Sequence, residues 1–190
     1  MEDIILTGPK HSGKTSTGKA LALICSCDFI DLDELILQRT GKSPRQLYNE
    51  SPAIFQKAEA ETIATLFKTG FVGWNSDGSY GETEGRRVIA TGGGIIDNAE
   101  ATAALKKPGA VTVCLDISAE SAWDRIANAP GGELPPFLRT ENPRETHRVL
   151  HERRAAAYLQ FADVVIDAEG KTPEEIAKEI KNRLHSDTRY

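Results

Sequence analysis

No run of eighteen apolar residues occurs in the sequence, so no segment reads as a membrane-spanning helix. Positive charge is not in excess. Twenty-three Lys and Arg stand against 28 Asp and Glu, and the net charge of −5 argues against a general nucleic-acid binder, which carries a basic face. A nucleotide ligand is not excluded, because local cations decide that. Cysteine is scarce: Cys25, Cys27 and Cys114 are the three present. Cys25 and Cys27 stand too close for an ordinary disulfide or a C-x-x-C redox pair, and no His-rich metal spacing accompanies them. Buried reduced thiols are the expected reading, which points to a reducing cytosol. A strand-like run begins at Ile4 and leaves no room for a signal peptide, so the expected location is cytoplasmic. Repeats and low-complexity tracts are lacking too. What remains is 190 residues with an ordinary balance, 39% hydrophobic and 27% charged, enough for one domain with its own core.

Short apolar runs alternate with helical patterns, the arrangement of a parallel sheet covered on both faces. Ile4 to Thr7, Phe29-Ile30, Val88 to Thr91, Val111 to Leu115 and Val164 to Ile166 are the five strands. Helices are expected over Lys14 to Ile24, Glu34 to Arg39, Pro52 to Lys68 and Asn98 to Lys107, then behind Ser118, Asn142 and Thr172. Two stretches fit no regular element. Residues 71–87 hold four glycines and Asn75 and read as a surface loop or hairpin, and about 129–142 reads as a flexible segment between two helices.

Gly8-Pro9-Lys10-His11-Ser12-Gly13-Lys14-Thr15 matches G-x-x-x-x-G-K-[ST] between a strand and a helix. Glycines there let backbone N–H groups turn inward around phosphates, and the helix adds the positive end of its dipole. Lys14 is expected to reach the β- and γ-phosphates of ATP, and Thr15 to bind Mg²⁺. Phosphoryl transfer to a hydroxyl also asks for a carboxylate. Asp31 and Asp33 follow the second strand, at the carboxyl end where open α/β sheets bind ligands. The two are expected to divide the labour. Capping of the next helix is a second use for either.

Helical spacing places two charges inward. Leu150, Ala157, Tyr158 and Phe161 define an apolar face with Arg154 near its middle. An inward Arg needs an anion, supplied by a substrate carboxylate or an internal salt bridge. Glu59 shares a face with Phe55, Thr62, Ile63 and Leu66.

Asp31-Leu32-Asp33-Glu34 with Arg39-Thr40-Gly41, Ala90-Thr91-Gly92-Gly93-Gly94, and Glu152-Arg153-Arg154 with Tyr158 stand in order along the chain. In these segments the sequence resembles the shikimate kinase family, over nearly its whole length. The resemblance implies a three-layer α/β/α fold of P-loop kinase type with a five-stranded parallel sheet and a mobile lid at about 129–142. It implies an ATP- and Mg²⁺-dependent enzyme that phosphorylates the 3-hydroxyl of shikimate, with no nucleic-acid or membrane partner. A monomer is therefore expected. The resemblance assigns Asp33 to the substrate hydroxyls, Asp31 to the Mg²⁺ side and Gly92 to Gly94 to the substrate. It gives Arg154 the substrate carboxylate. Ser16, Arg125 and Pro173, beside Lys171 and Thr172, fall on the ATP side with the P-loop residues.

Two positions depart from the family pattern. Gln56 stands where the family has a substrate-binding Arg paired with the residue matching Glu59. Pro135-Pro136-Phe137-Leu138 replaces R-P-L-L in the lid, with Arg139 the candidate to reach the phosphates instead. Arg45 and Arg153 are candidates to compensate at Gln56. The alternatives these departures motivate are a related kinase for another anionic or polyol substrate, such as gluconate, and a nucleotide-binding protein with weak turnover.

Overall fold

The computed structural model describes residues 3–68, 71–74, 80–83, 86–106, 109–128 and 134–186, with the backbone alone at 71–74, 80–83, 136 and 186. Five parallel strands form the heart of the sheet: β1 (Asp3–Thr7), β2 (Asp28–Asp31), β5 (Arg87–Ala90), β6 (Ala110–Asp116) and β7 (Val164–Asp167). Two more, β3 (Phe71–Trp74) and β4 (Tyr80–Thr83), form an antiparallel hairpin. The order across the sheet is β4-β3-β2-β5-β1-β6-β7. The glycine-rich stretch is thus a hairpin, as one of its two expected forms. It also joins the sheet, through Phe29 opposite Trp74, and widens it from five strands to seven. Residues 75–79 and 84–85 of that stretch, and 129–133 of the expected lid, lie outside the described residues.

Helices cover both faces. They are α1 (Lys14–Cys25), α2 (Leu32–Thr40), α3 (Pro44–Glu50), α4 (Pro52–Leu66), α5 (Ala99–Leu105), α6 (Ala119–Ala127), α7 (Pro143–Phe161) and α8 (Pro173–Ser186). Their starts follow local chemistry: Ser118, Asn142 and Thr172 each accept a backbone N–H three residues on. The sequence reading passed over α3. A capping box marks it, with Ser43 Oγ accepting from Gln46 N and Gln46 Oε1 accepting from Ser43 N.

The sheet's central strands are buried on both faces, which is why Ile4, Ile5 and Leu6 run consecutively apolar. Ile4 and Leu6 pack with Leu21, Val113 and Ile176 on one face, and Ile5 packs with Ile36, Ile63 and Tyr158 on the other. Register then fixes the site. Leu6 lies beside Ala90, and Asp31 lies on the other side of the same Ala90. The carboxyl ends of β1, β5 and β2 therefore open side by side, where Gly8, Thr91 and Asp31 leave the sheet.

Candidate active site

The P-loop bends through three residues with positive φ: Gly8 at 130°, His11 at 63° and Gly13 at 96°. At Gly8 no other residue fits, since a Cβ would stand 2.5 Å from the Leu115 carbonyl oxygen. Lys14 folds back over the loop it closes. Its Nζ donates to the carbonyls of Gly8 at 3.0 Å and Pro9 at 2.7 Å, and to Ser12 Oγ at 3.4 Å. Burial pushes the Lys14 ammonium down to about 8, against the opposing pull of Asp33. A buried cation of this kind is poised for an anion. His11 is held down at about 4, first by burial and then by Lys10 and Lys14, so it is neutral at physiological pH.

Thr15 Oγ1 donates to Asp31 Oδ2 at 2.8 Å. The other Asp31 oxygen accepts from Asp33 N at 3.0 Å and caps α2. The capping role is therefore present, and it leaves the second oxygen facing the P-loop hydroxyl. A hydroxyl and a carboxylate oxygen side by side at the mouth of the phosphate cradle are the hard donors that Mg²⁺ takes. Among the described residues no cluster of three His, Cys, Asp or Glu forms a metal site.

Two clefts open here. One, of about 520 Å³, is lined by Lys10 to Thr17, Asp31, Arg125, Lys171 and Pro173. Arg125 Nη1 donates to the His11 carbonyl at 3.0 Å and anchors this wall. The other, of about 410 Å³, is lined among others by Gln56, Glu59, Gly94, Asp97, Phe137 and Arg154. Lys10, His11, Asp33, Gly92 and Gly93 line both. Asp33 reaches solvent through the opening but sits deep in the cleft, and that surrounding mass, with Asp31 behind it, raises its carboxyl above the usual range.

Each of the three glycines makes room for a different neighbour. A Cβ on Gly92 would crowd Asp33 Oδ1 at 3.3 Å, with Glu59 Oε1 at 3.5 Å. On Gly93 it would strike the P-loop backbone at Lys10, 2.7 Å away. On Gly94 it would press on the Arg154 guanidinium at 3.3 Å. The glycines let the P-loop, the carboxylates and Arg154 close on one point.

Arg154 faces inward, as its periodicity requires. It donates to Asp97 Oδ2 from Nε at 2.9 Å and from Nη2 at 2.6 Å, and to the Gly93 carbonyl at 3.3 Å. The internal salt bridge is therefore present, and Arg154 still lines the cleft. Arg153 binds the same Asp97 from outside at 2.9 Å. The Phe137 ring sits 5.7 Å from the Arg154 guanidinium, which seats this residue of the expected lid segment on the cleft. Arg139 stands exposed beyond Leu138 and is outside the linings of both clefts.

Glu59 is almost fully buried. Its Oε2 accepts from Asn98 Nδ2 at 2.9 Å, while Oε1 has no hydrogen-bond partner among the described residues. Burial pushes the acid up to about 7. Gln56, one turn earlier, points its amide at the Asp97 carbonyl at 3.5 Å. Asp97 and Asn98 were missed by the sequence reading as parts of this site, whereas Arg45 and the Phe137 of the expected lid, both named there, do line the cleft. Asn98 was legible only as a helix cap, and it does cap α5.

Known proteins were compared with the chain. The family model of shikimate kinase matches residues 10–185. The chain belongs to the shikimate kinase family. A shikimate kinase of Thermodesulfovibrio yellowstonii is 34% identical over 95% of this chain and 93% of its own. A solved shikimate kinase of Acinetobacter baumannii, in complex with shikimate, superposes with a TM-score of 0.82 at 25% identity, over 100% of this chain and 96% of that one. The shikimate kinase of Aquifex aeolicus gives 0.75 at 30% identity, over 98% of both chains. Membership makes the chain an ATP-dependent kinase of P-loop fold. No helix among the described residues is long and apolar enough to cross a membrane.

Proposed function

We propose that the chain transfers the γ-phosphoryl group of ATP to the 3-hydroxyl of shikimate. The observation that carries this reading is the shared wall. Asp33, Lys10 and Gly92-Gly93 belong at once to a phosphate cradle and to an adjoining cleft with Arg154 on its far side. A donor in one cleft and a carboxylate-bearing alcohol in the other meet at Asp33.

Lys14 leaves its carbonyl partners for the β- and γ-phosphates and offsets charge there. Thr15 and Asp31 hold Mg²⁺, which when bound neutralises phosphate charge. Asp33 orients the acceptor hydroxyl and takes its proton, a role helped by burial, which raises its pKa and makes its carboxylate a stronger base. Arg154 receives the acceptor carboxylate while Arg153 retains Asp97. Ser16, Arg125 and Pro173 border the rest of the nucleotide. The reading includes a monomer, and a cytoplasmic location with which unpaired Cys25, Cys27 and Cys114 agree.

The test is ADP release coupled to a reporter, with shikimate and with gluconate as control. Shikimate-dependent release is expected. In Asp33→Asn it falls by about 10²- to 10⁴-fold, the range for loss of a positioned general base. Release with gluconate and none with shikimate would refute the substrate.

A further inference from the structure

Arg154 faces the acceptor cleft already holding a carboxylate. Its Nε and Nη2 both donate to Asp97 Oδ2, at 2.9 and 2.6 Å, and Asp97 lines the same cleft. The acid therefore stands against the guanidinium edge that a ligand carboxylate would claim. Its place is fixed by the backbone. Asp97 closes the single 3₁₀ turn Ile95–Asp97, where its N–H donates to the Gly94 carbonyl at 3.0 Å.

A second cation shares that acid. Arg153 Nη2 donates to Asp97 Oδ1 at 2.9 Å and to Oδ2 at 3.0 Å. The two arginines are neighbours on α7 but differ in setting: the Arg154 side chain is 16% exposed and that of Arg153 is 61% exposed. Arg153 lines neither cleft. Between Arg154 and Asp97, both largely shielded from water, attraction is poorly screened, so a ligand must displace a strong partner. Taking one member out of such a pair leaves a charge unmatched, which is costly. Arg153 offsets that cost from the solvent side, because Asp97 keeps a cation when Arg154 turns to a ligand. A neutral ligand gives Arg154 no replacement charge and leaves the pair closed.

We propose that Asp97 is an internal competitor for Arg154, a specificity-determining residue that a ligand carboxylate must displace, and that Arg153 holds Asp97 aside once the acceptor is bound. This rests on the shikimate reading above and adds to it a control on affinity: the cleft answers to the acid of the acceptor through an exchange of carboxylates on one guanidinium.

The experiment measures by calorimetry the Kd of shikimate and of its uncharged methyl ester in the full-length chain. Asp97→Asn keeps the shape of the side chain and removes the competing charge. It is expected to tighten shikimate by about tenfold or more, the scale of a hydrogen bond to a charged group, and to leave the ester nearly unchanged. Arg153→Ala is expected to weaken shikimate by a similar factor, because Asp97 then has Arg154 alone. Asp97→Asn combined with Arg153→Ala is expected to cancel that loss. Weaker shikimate binding in Asp97→Asn overturns the proposal, since it marks an acid that only positions Arg154. No change in either single variant, or an equal gain for acid and ester in Asp97→Asn, overturns it too. Those outcomes leave the substrate reading standing so long as the unsubstituted enzyme releases ADP with shikimate. Absence of that release overturns the substrate reading and this inference with it.

Discussion

Glu59 and Lys14 are two buried charges whose environments push them toward neutrality from opposite sides. Glu59 releases its proton at 4.5 in an unfolded chain and at about 7 in the fold. Between those values the native state keeps a proton the unfolded chain has lost. Stability from this group therefore falls as pH rises from about 4.5 to 7, by on the order of 3 kcal/mol at most. In Glu59→Gln that slope is absent. Urea unfolding at pH 5 and pH 8 is expected to show the unsubstituted protein losing more than the variant. Equal losses would show that Glu59 is already ionised. Lys14 runs the other way, since burial lowers it to about 8. Phosphates restore its charge, so nucleotide binding near pH 9 is expected to take up close to one proton. Calorimetry in two buffers of different ionisation enthalpy reads this directly, and Lys14→Ala abolishes it.

At the scale of elements, the segment expected as a lid carries one of the two departures from the family pattern read in the sequence. Pro135 and Phe137 line the acceptor cleft, Leu138 is buried, and Arg139 is outside both linings. An arginine aimed at a transferring phosphoryl group contributes about 10³- to 10⁵-fold where it has been measured. Pro135→Arg is expected to raise kcat by tenfold or more and to leave the KM for shikimate little changed. An unchanged kcat would mean that Lys10 or another cation already supplies that charge. The lid departure was visible in the sequence because it sits inside a contiguous motif, and so were the P-loop and the Asp31-Leu32-Asp33 segment. Such motifs are local: a strand end, a turn and a helix start specify them together. The pairing of Asp97 with Arg153 and Arg154 was not visible, because α7 meets the turn after β5 only in the folded chain. The placement of β3 and β4 at the sheet edge failed to show for the same reason. Glycine spacing signals a hairpin, but nothing local selects Phe29 as the partner of Trp74. Helix α3 is a different kind of miss. Its capping box was there to be read, and only its seven residues made it easy to pass over.

At the scale of the whole molecule, the two clefts meet along a wall formed by Lys10, His11, Asp33, Gly92 and Gly93. Those residues come from the P-loop, the first turn of α2 and the turn after β5, so any ligand that orders one cleft touches the frame of the other. A ligand that binds only the folded state stabilises it by about 2.7 kcal/mol at one hundred times its dissociation constant. For a domain of this size each kcal/mol raises the melting temperature by roughly 2–4 °C. ADP with Mg²⁺ at that excess is therefore expected to raise it by roughly 5–11 °C. Asp31→Ala should keep the part of the shift due to ADP alone and lose the part that Mg²⁺ adds. Coupling through the shared wall is reciprocal: the factor by which shikimate tightens ADP must equal the factor by which ADP tightens shikimate. Calorimetric titration of each ligand with and without the other measures both factors. Two equal factors above one are expected. Factors of one would mean that the wall serves both clefts without transmitting anything between them.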